Sequence, residues 1–312
     1  MKKSGVIRLI GRILSVLSIG FVIYAVWKMG FDFSFVGNVP VFILVVLIGI
    51  GMKLLSLWLS STAWAGWLSF FSRTPFKVQD ARRVFIRANI GRYIPGNVMH
   101  FVQRNLFASG MGISQLQLAM STVFEVMSYV SVAMCVALLT AGDSLQKVLA
   151  GYFGDRLPML GIAAACVAAA VVIALVILRK KIRIALEGHT AKELVQTLLK
   201  VMGLQLVTLT LLGAVMLMLV WYAKGSMTFD MAGTVISTYI VAWVLGFIVP
   251  GASGGIGIQE MALLLLLGPP LGKSLVLSLA VIHRLITIIG DFLGYLIVIL
   301  RERKSKGTEN NA

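Results

Sequence analysis

The sequence predicts an all-α polytopic membrane protein with about 7–8 transmembrane segments, including two broken or re-entrant helices arranged as inverted repeats. Three observations support this fold class. Only 13% of the 312 residues are charged and 59% are hydrophobic, whereas about 25% of the residues of a soluble domain are charged. Apolar runs of membrane-spanning length recur along the chain. Two stretches between these runs combine a Pro-Gly pair with charged residues.

Seven apolar runs are candidate transmembrane helices, because a helix needs about 20 apolar residues to cross a bilayer. The first run resembles a signal peptide, but no small-x-small cleavage site follows it, so we interpret it as an uncleaved span. We expect one membrane domain at 1–305, with pseudo-repeats at about 39–140 and 203–300, and a disordered cytoplasmic tail at 306–312. The runs are 10–27, 39–60, 114–140, 157–178, 203–222, 231–249 and 274–299.

The net charge of +16 is explained by membrane topology and not by a nucleic-acid partner. Four clusters, at 2–12, 73–92, 179–200 and 301–306, hold most of the 28 Lys and Arg residues. All four fall on the same side of the predicted topology, and the positive-inside rule makes that side cytoplasmic. We therefore expect both termini in the cytoplasm. A nucleic-acid-binding protein would need a basic fold motif or stacking aromatics, which the sequence does not offer.

Six ionisable residues remain within the apolar segments, three basic and three acidic. Each costs roughly 2.5–3.5 kcal/mol at the centre of a bilayer on insertion scales, so such residues normally pair or line a wet cavity. Lys53 is the weakest candidate of the six, because a lysine can extend its ammonium toward the membrane surface. The six residues are Lys53, Arg104, Arg284, Glu125, Glu260 and Asp291.

Two stretches, "IGRYIPGNVMHFVQR" and "FIVPGASGGIGIQE", show the same pattern with the charges exchanged. In the first, Asn97 follows the Pro-Gly pair and Arg104 lies seven residues later. In the second, Ser253 and Glu260 take these positions. We expect each small polar residue to cap a half-helix after the break. The predicted helix-breaking positions are Pro95, Gly96, Pro250, Gly251, Ser253, Gly254 and Gly255.

Each stretch is followed by a long apolar helix that carries the opposite charge, Glu125 after Arg104 and Arg284 after Glu260. This exchange indicates an internal duplication of the kind that transporters use. Segments 84–94 and 98–108 are each about half a bilayer long, which predicts a re-entrant hairpin from the cytoplasmic side. Segment 256–267 is expected near the outer face, either re-entrant or as a short extra span.

Half-helix N-termini offer free N–H groups and a partial positive charge that suit an anion such as phosphate. Arg104 can add a bidentate phosphate contact. Arg104 pairs with either Glu125 or Glu260, and both pairings remain open at this point. We expect no cofactor and no metal site. The candidate head-group or gating residues are Arg104, Glu125, Glu260, Arg284, Asn97, His100, Gln103, Gln259 and Asp291.

At these stretches the sequence resembles the integral-membrane family that includes the flippase part of lysylphosphatidylglycerol synthases and has stand-alone bacterial members. The resemblance covers about residues 10–300 and rests on "RYIPGNVMHFVQR", "GMGISQLQLAMSTVFEV" and "PGASGGIGIQEMALL". It implies a location in the bacterial inner membrane and lipid translocation, with Arg104, Glu125, Glu260 and Arg284 as candidate head-group or gating residues. Because "RERKSKGTENNA" leaves no room for an aminoacyl-transferase domain, we do not expect this chain to make lysyl-lipid.

The leading functional prediction is a lipid flippase or transporter, not an enzyme, that moves a phospholipid, glycolipid or polyprenyl-lipid head group through a charged cavity. Its partners would be the cargo lipid and enzymes of envelope lipid or glycan biosynthesis. One alternative is a membrane scaffold for such enzymes. Another is an embedded enzyme with Glu125 or Glu260 as general base, although "GASGGIG" lacks the Gly-Lys-Ser/Thr of a phosphate-binding loop.

Overall fold

A computed structural model describes residues 34–72, 75–94, 98–140, 187–248 and 253–309, in which every regular element is a helix. Three helices are short: α2 (Val78–Asn89), α3 (Met99–Ala108) and α7 (Ile258–Leu271). Five others in this part of the chain are long and apolar enough to cross a membrane. These are α1 (Val39–Phe71), α4 (Gln115–Thr140), α5 (Ala191–Lys224), α6 (Phe229–Ile248) and α8 (Lys273–Glu309).

The described helices confirm an all-helical, membrane-type fold. The predicted spans at 10–27 and 157–178 lie outside the described residues, as do Pro95, Gly96, Asn97, Pro250 and Gly251. Helix α8 continues to Glu309, beyond the boundary expected at residue 305.

Helices α1 and α5 form the most extensive helix–helix contact of the described chain, and local signals define where both begin. The side chain of Asn38 accepts a hydrogen bond from the N–H of Val41 (3.2 Å) at the start of α1. Thr190 and Glu193 form a reciprocal capping box at the start of α5. Both helices are longer than their apolar runs. In α1 the extra turns bury Trp64 and Trp67, so aromatic burial stabilises the helix past the predicted end.

The first broken element is a helical hairpin. Helix α2 ends in a 3-10 turn at Ile90–Tyr93, and α3 begins at Met99 and packs back against α2. At 1.5 Å per residue the two helices are only about 18 and 15 Å long. Neither crosses the roughly 30 Å hydrocarbon core by itself.

The starts of α3 and α7 differ from the prediction that Asn97 and Ser253 would cap them. Val98 takes the N-cap position of α3, without a side-chain cap bond. Ser253 lies in a 3-10 turn, and Gly257 takes the N-cap position of α7. For α7 the reason is backbone freedom, since Gly254, Gly255 and Gly257 all have positive φ, which lets the chain turn further before the helix begins.

The 3-10 turn after α2 and the glycine-rich turn before α7 contact each other. A Cβ on Gly254 would lie 3.4 Å from the ring of Tyr93, which belongs to the 3-10 turn after α2. Behind Gly254, a Cβ on Gly246 of α6 would lie 3.1 Å from the Cα of Gly255. The two interrupted stretches that the sequence singled out are therefore neighbours, and close backbone contact holds the second of them against α6.

We expect Gly246→Val to destabilise the protein by about 1–3 kcal/mol, because the added side chain meets backbone that cannot move away. Gly203→Val, which points into open space on α5, is the matched control and should have a much smaller effect. The measurement is equilibrium unfolding in mixed micelles. Equal losses for the two variants would contradict the close contact between α6 and the Gly255 turn.

Candidate functional site: a charged central cavity

A polar cavity lies where α1, α5, α6 and α8 meet the two interrupted stretches. It has two adjoining lobes of about 70 and 40 Å³. Because a buried water needs roughly 10–15 Å³ of such space, the lobes have room for waters but not for a lipid head group. In this conformation the cavity is therefore too small for such a cargo. The residues that line both lobes are Lys53, Arg92, Leu212, Trp243 and Phe247.

The first lobe contains an ion pair between Arg104 of α3 and Glu125 of α4. The guanidinium carbon of Arg104 also lies 4.1 Å from the ring centroid of Phe85 and 5.0 Å from that of Trp64. Aromatic faces attract cations, and the Arg104 side chain is only 3% exposed. Arg104 is thus enclosed by a carboxylate and aromatic rings instead of projecting freely into the cavity.

The second lobe contains an ion pair between Arg284 of α8 and Glu260 of α7. The Nε of Arg284 donates to a carboxylate oxygen of Glu260 at 2.7 Å, and its other nitrogens donate to Gln259 Oε1 (3.0 Å) and to the carbonyl oxygen of Gly254 (2.8 Å). The second carboxylate oxygen of Glu260 accepts from the N–H of Gly257 at 2.6 Å. This network ties the glycine-rich turn to α8.

The structure decides between the pairings that the sequence left open. Arg104 pairs with Glu125, 21 residues away, and Arg284 pairs with Glu260, 24 residues away. Each pair therefore forms between a broken element and the helix that follows it, within the same half of the chain. An Arg104–Glu260 pair is not formed.

Asp291 of α8 is the centre of a third cluster. One carboxylate oxygen lies 2.8 Å from Nζ of Lys53, and the other accepts a hydrogen bond from the hydroxyl of Tyr93 at 2.7 Å. The Arg92 guanidinium lies 3.8 Å from the same carboxylate. Lys53, the weakest of the six candidates in the sequence, is buried here, with its side chain 7% exposed. Gly290 explains the burial, because a Cβ there would lie 2.5 Å from Cγ of Lys53.

Arg92 is the site residue that sequence reasoning missed, since it was counted with the basic cytoplasmic cluster. It lies on the 3-10 turn after α2, which brings it to the point where the two lobes join. Its side chain is 23% exposed, and its nearest carboxylate is shared with Lys53 and Tyr93. The signal that could have found it is its position, three residues before the predicted helix break at Pro95.

Some of the other predicted site residues line the cavity and others do not. His100 lines the first lobe, and Gln259, Gly254 and Gly255 line the second. Gln103 does not line either lobe. Its amide lies against the backbone of Gly91, where a Cβ would be 2.5 Å from Gln103 Oε1.

Several polar atoms that face the first lobe are buried without a hydrogen-bond partner in the described part of the chain. Buried polar groups are nearly always hydrogen-bonded to protein, water or ligand. These atoms are therefore available to hydrogen-bond water or a polar ligand in the first lobe. They are Asn89 Nδ2, His100 Nδ1, Arg104 Nε and Gln205 Oε1.

Comparisons with known proteins identify no relative. No protein-family model, no curated protein and no solved structure matches the chain. Within residues 34–72, 75–94, 98–140, 187–248 and 253–309, no group of three His, Cys, Asp or Glu side chains is placed to hold a metal ion. The function must therefore be inferred from the cavity itself.

A double-mutant cycle tests the pairing within the first half. Glu125→Gln should lower the free energy of unfolding by about 3–5 kcal/mol, because it leaves the buried Arg104 charge without its partner. Adding Arg104→Gln should recover part of that loss, with a coupling of about 1 kcal/mol or more. The measurement is equilibrium unfolding in mixed micelles. The control combines Arg104→Gln with Glu260→Gln, whose effects should simply add. A larger coupling energy between Arg104 and Glu260 than between Arg104 and Glu125 would contradict the assigned pairing.

Proposed function

We propose that the protein is a lipid transporter of the bacterial cytoplasmic membrane that moves a phosphate-bearing lipid head group through the central cavity. The lipid tails would stay in the bilayer while the head group crosses. The observation that carries this proposal is a charged cavity that lies among apolar helices of membrane-spanning length, between two interrupted helical stretches. Irregular backbone at that depth is tolerated only where protein buries it or a cavity solvates it.

The charge of the cavity supports an anionic cargo. The cavity is lined by four basic side chains and two carboxylates. A third carboxylate, that of Glu260, does not line it but pairs with Arg284, so one positive charge remains when histidine is counted as neutral. The excess falls on Arg92, because Asp291 already binds Lys53 and Tyr93 more closely. The charged lining residues are Lys53, Arg92, Arg104, Arg284, Glu125 and Asp291.

The unpartnered polar atoms match the requirements of a phosphate. Asn89 Nδ2 and Arg104 Nε are donors without an acceptor in the described part of the chain, and His100 Nδ1 becomes a donor in one tautomer. A phosphate brings several acceptor oxygens and negative charge. Arginine–phosphate bonds are among the stronger hydrogen bonds that proteins form. We assign the primary phosphate contact to Arg92 and give Arg104 a gating role through its bond to Glu125.

We also propose that the two halves are inverted repeats, with seven or eight spans and both termini in the cytoplasm. The exchanged pairs support this arrangement, since Arg104–Glu125 and Glu260–Arg284 repeat the same order with opposite signs. The resemblance to lysylphosphatidylglycerol synthase flippases is consistent with the same proposal. Because the lobes are too small for a head group, transport requires a conformation in which one half moves relative to the other.

We expect Arg92→Gln to slow the transport of phosphate-bearing lipid about 10–100-fold, the effect of losing one hydrogen bond to a charged group. Purified protein is reconstituted into vesicles with fluorescent phosphatidylglycerol or a fluorescent polyprenyl phosphate. Redistribution between leaflets is followed by chemical quenching of the outer probe. Arg92→Lys, which keeps the charge, should retain part of the rate.

The control variant is Lys192→Gln, which removes an exposed charge from the first turn of α5 and should transport at the wild-type rate. If neither probe moves faster than in protein-free vesicles, the transport proposal is wrong. If wild type and Arg92→Gln transport equally, transport stands but the assignment of Arg92 does not.

A further inference from the structure

A second polar feature lies outside the cavity, in a groove bounded by α1, α2 and α8. Its volume of about 390 Å³ is within the roughly 300–1,000 Å³ typical of small-molecule sites. Residues of all three helices line the groove, and the lining changes in character along its length. Its walls are formed by Leu54, Leu57, Trp58, Gln79, Arg82, Arg83, Ile86, Gly294, Ile297, Val298 and Arg301.

The groove is charged at one end and apolar at the other. On α2, Arg82 lies one turn from Ile86, and on α8, Arg301 lies one turn from Ile297, so charged and apolar residues share a helix face. On α1, Trp58 lies one turn from Leu54. The polar members of all three helices gather at the end where α8 carries its terminal arginines. A chain of methylene groups below an anionic head matches this order.

The charged end of the groove lacks compensating carboxylates. Arg83 is paired with Asp80 at 3.3 Å, but both side chains are about 40% exposed, and such pairs contribute little. Among the described residues, no carboxylate lies within ion-pair distance of Arg82 or Arg301, and Arg82 Nε has no hydrogen-bond partner. The groove therefore presents two unneutralised guanidinium groups to whatever enters it.

Trp58 holds one of these arginines in place. The guanidinium carbon of Arg82 lies 4.9 Å from the ring centroid of Trp58, whose ring is nearly half exposed. Tryptophan prefers the interface between hydrocarbon and head groups. The Trp58–Arg82 contact thus places a cation beside a side chain that favours the head-group region.

We propose that this groove binds an anionic glycerophospholipid, with its phosphate on Arg82 and Arg301 and one acyl chain along Leu54 and Ile297. Basic sites between transmembrane helices on the cytoplasmic side are suited to anionic lipid head groups. The proposal goes beyond the transport function and does not depend on it. Leu57 lines both this groove and the first lobe of the cavity, so one side chain separates the bound lipid from the cavity.

Binding is measured by native mass spectrometry of the full chain, titrated with phosphatidylglycerol and with phosphatidylcholine. We expect tighter binding of phosphatidylglycerol. Arg82→Gln and Arg301→Gln should each weaken it about fivefold, and the double variant about 25-fold, from roughly 1 kcal/mol per basic residue near the surface. Arg82→Lys should bind nearly as wild type.

The matched control is Arg303→Gln, which removes an exposed charge two residues from Arg301 and does not line the groove. It should leave phosphatidylglycerol binding unchanged. Equal weakening by Arg303→Gln and Arg301→Gln would mean that general surface charge attracts the lipid, and the groove would then not be a specific site.

Location is tested with bromine-labelled phosphatidylglycerol, which quenches nearby tryptophan. We expect saturable quenching that Trp58→Phe removes and Arg82→Gln weakens. Quenching that is unchanged in Trp58→Phe would overturn the proposal. The variant Ile297→Cys places a cysteine in the groove, which is then tested for cross-linking to residues 1–33. Such a cross-link would also overturn the proposal, because a segment of the chain itself would then occupy the groove.

Discussion

The arrangement of the described helices depends on the cost of placing an ionic side chain in hydrocarbon. A charge without a partner at that depth is strongly destabilising, whereas a hydrogen-bonded pair is tolerated. Glu125, Glu260 and Asp291 each meet a cation, and each of these contacts joins two different helices. The pairs therefore act as fixed points that specify which helix faces turn toward one another.

The close helix approaches follow from these fixed points. Lys53 reaches Asp291 because Gly290 leaves space for its stem, and Leu57 packs into the space above Gly294 one turn later. On the other side, Gly246 and Gly255 bring α6 against the glycine-rich turn. Small residues that allow close backbone approach are the usual device for helix association in membranes. Charge pairing and glycine placement thus support the same geometry.

Arg92 departs from this pattern, because Lys53 and Tyr93 already bind its nearest carboxylate more closely. Its guanidinium is half-enclosed at the junction of the two lobes and must share the carboxylate of Asp291. Binding an anion there would neutralise it and would weaken the competition for Asp291. Under the proposed transport function, a cargo phosphate would in this way favour rearrangement of the Asp291 cluster, because a ligand shifts a conformational equilibrium by its differential affinity for the two states.

Much of the architecture could be predicted from the sequence, because hydropathy and charge patterns are local properties. The apolar runs located five long helices to within a few residues at most ends, and the repeated Pro-Gly pattern singled out Arg104, Glu125, Glu260 and Arg284. The capping residues of α3 and α7 were assigned wrongly, and for α7 the reason is that glycine permits several turn geometries that composition does not distinguish. Only the tertiary structure decided the partners of the charges, the burial of Lys53 and the place of Arg92. These depend on which helix faces meet across long stretches of chain, and no local pattern carries that information.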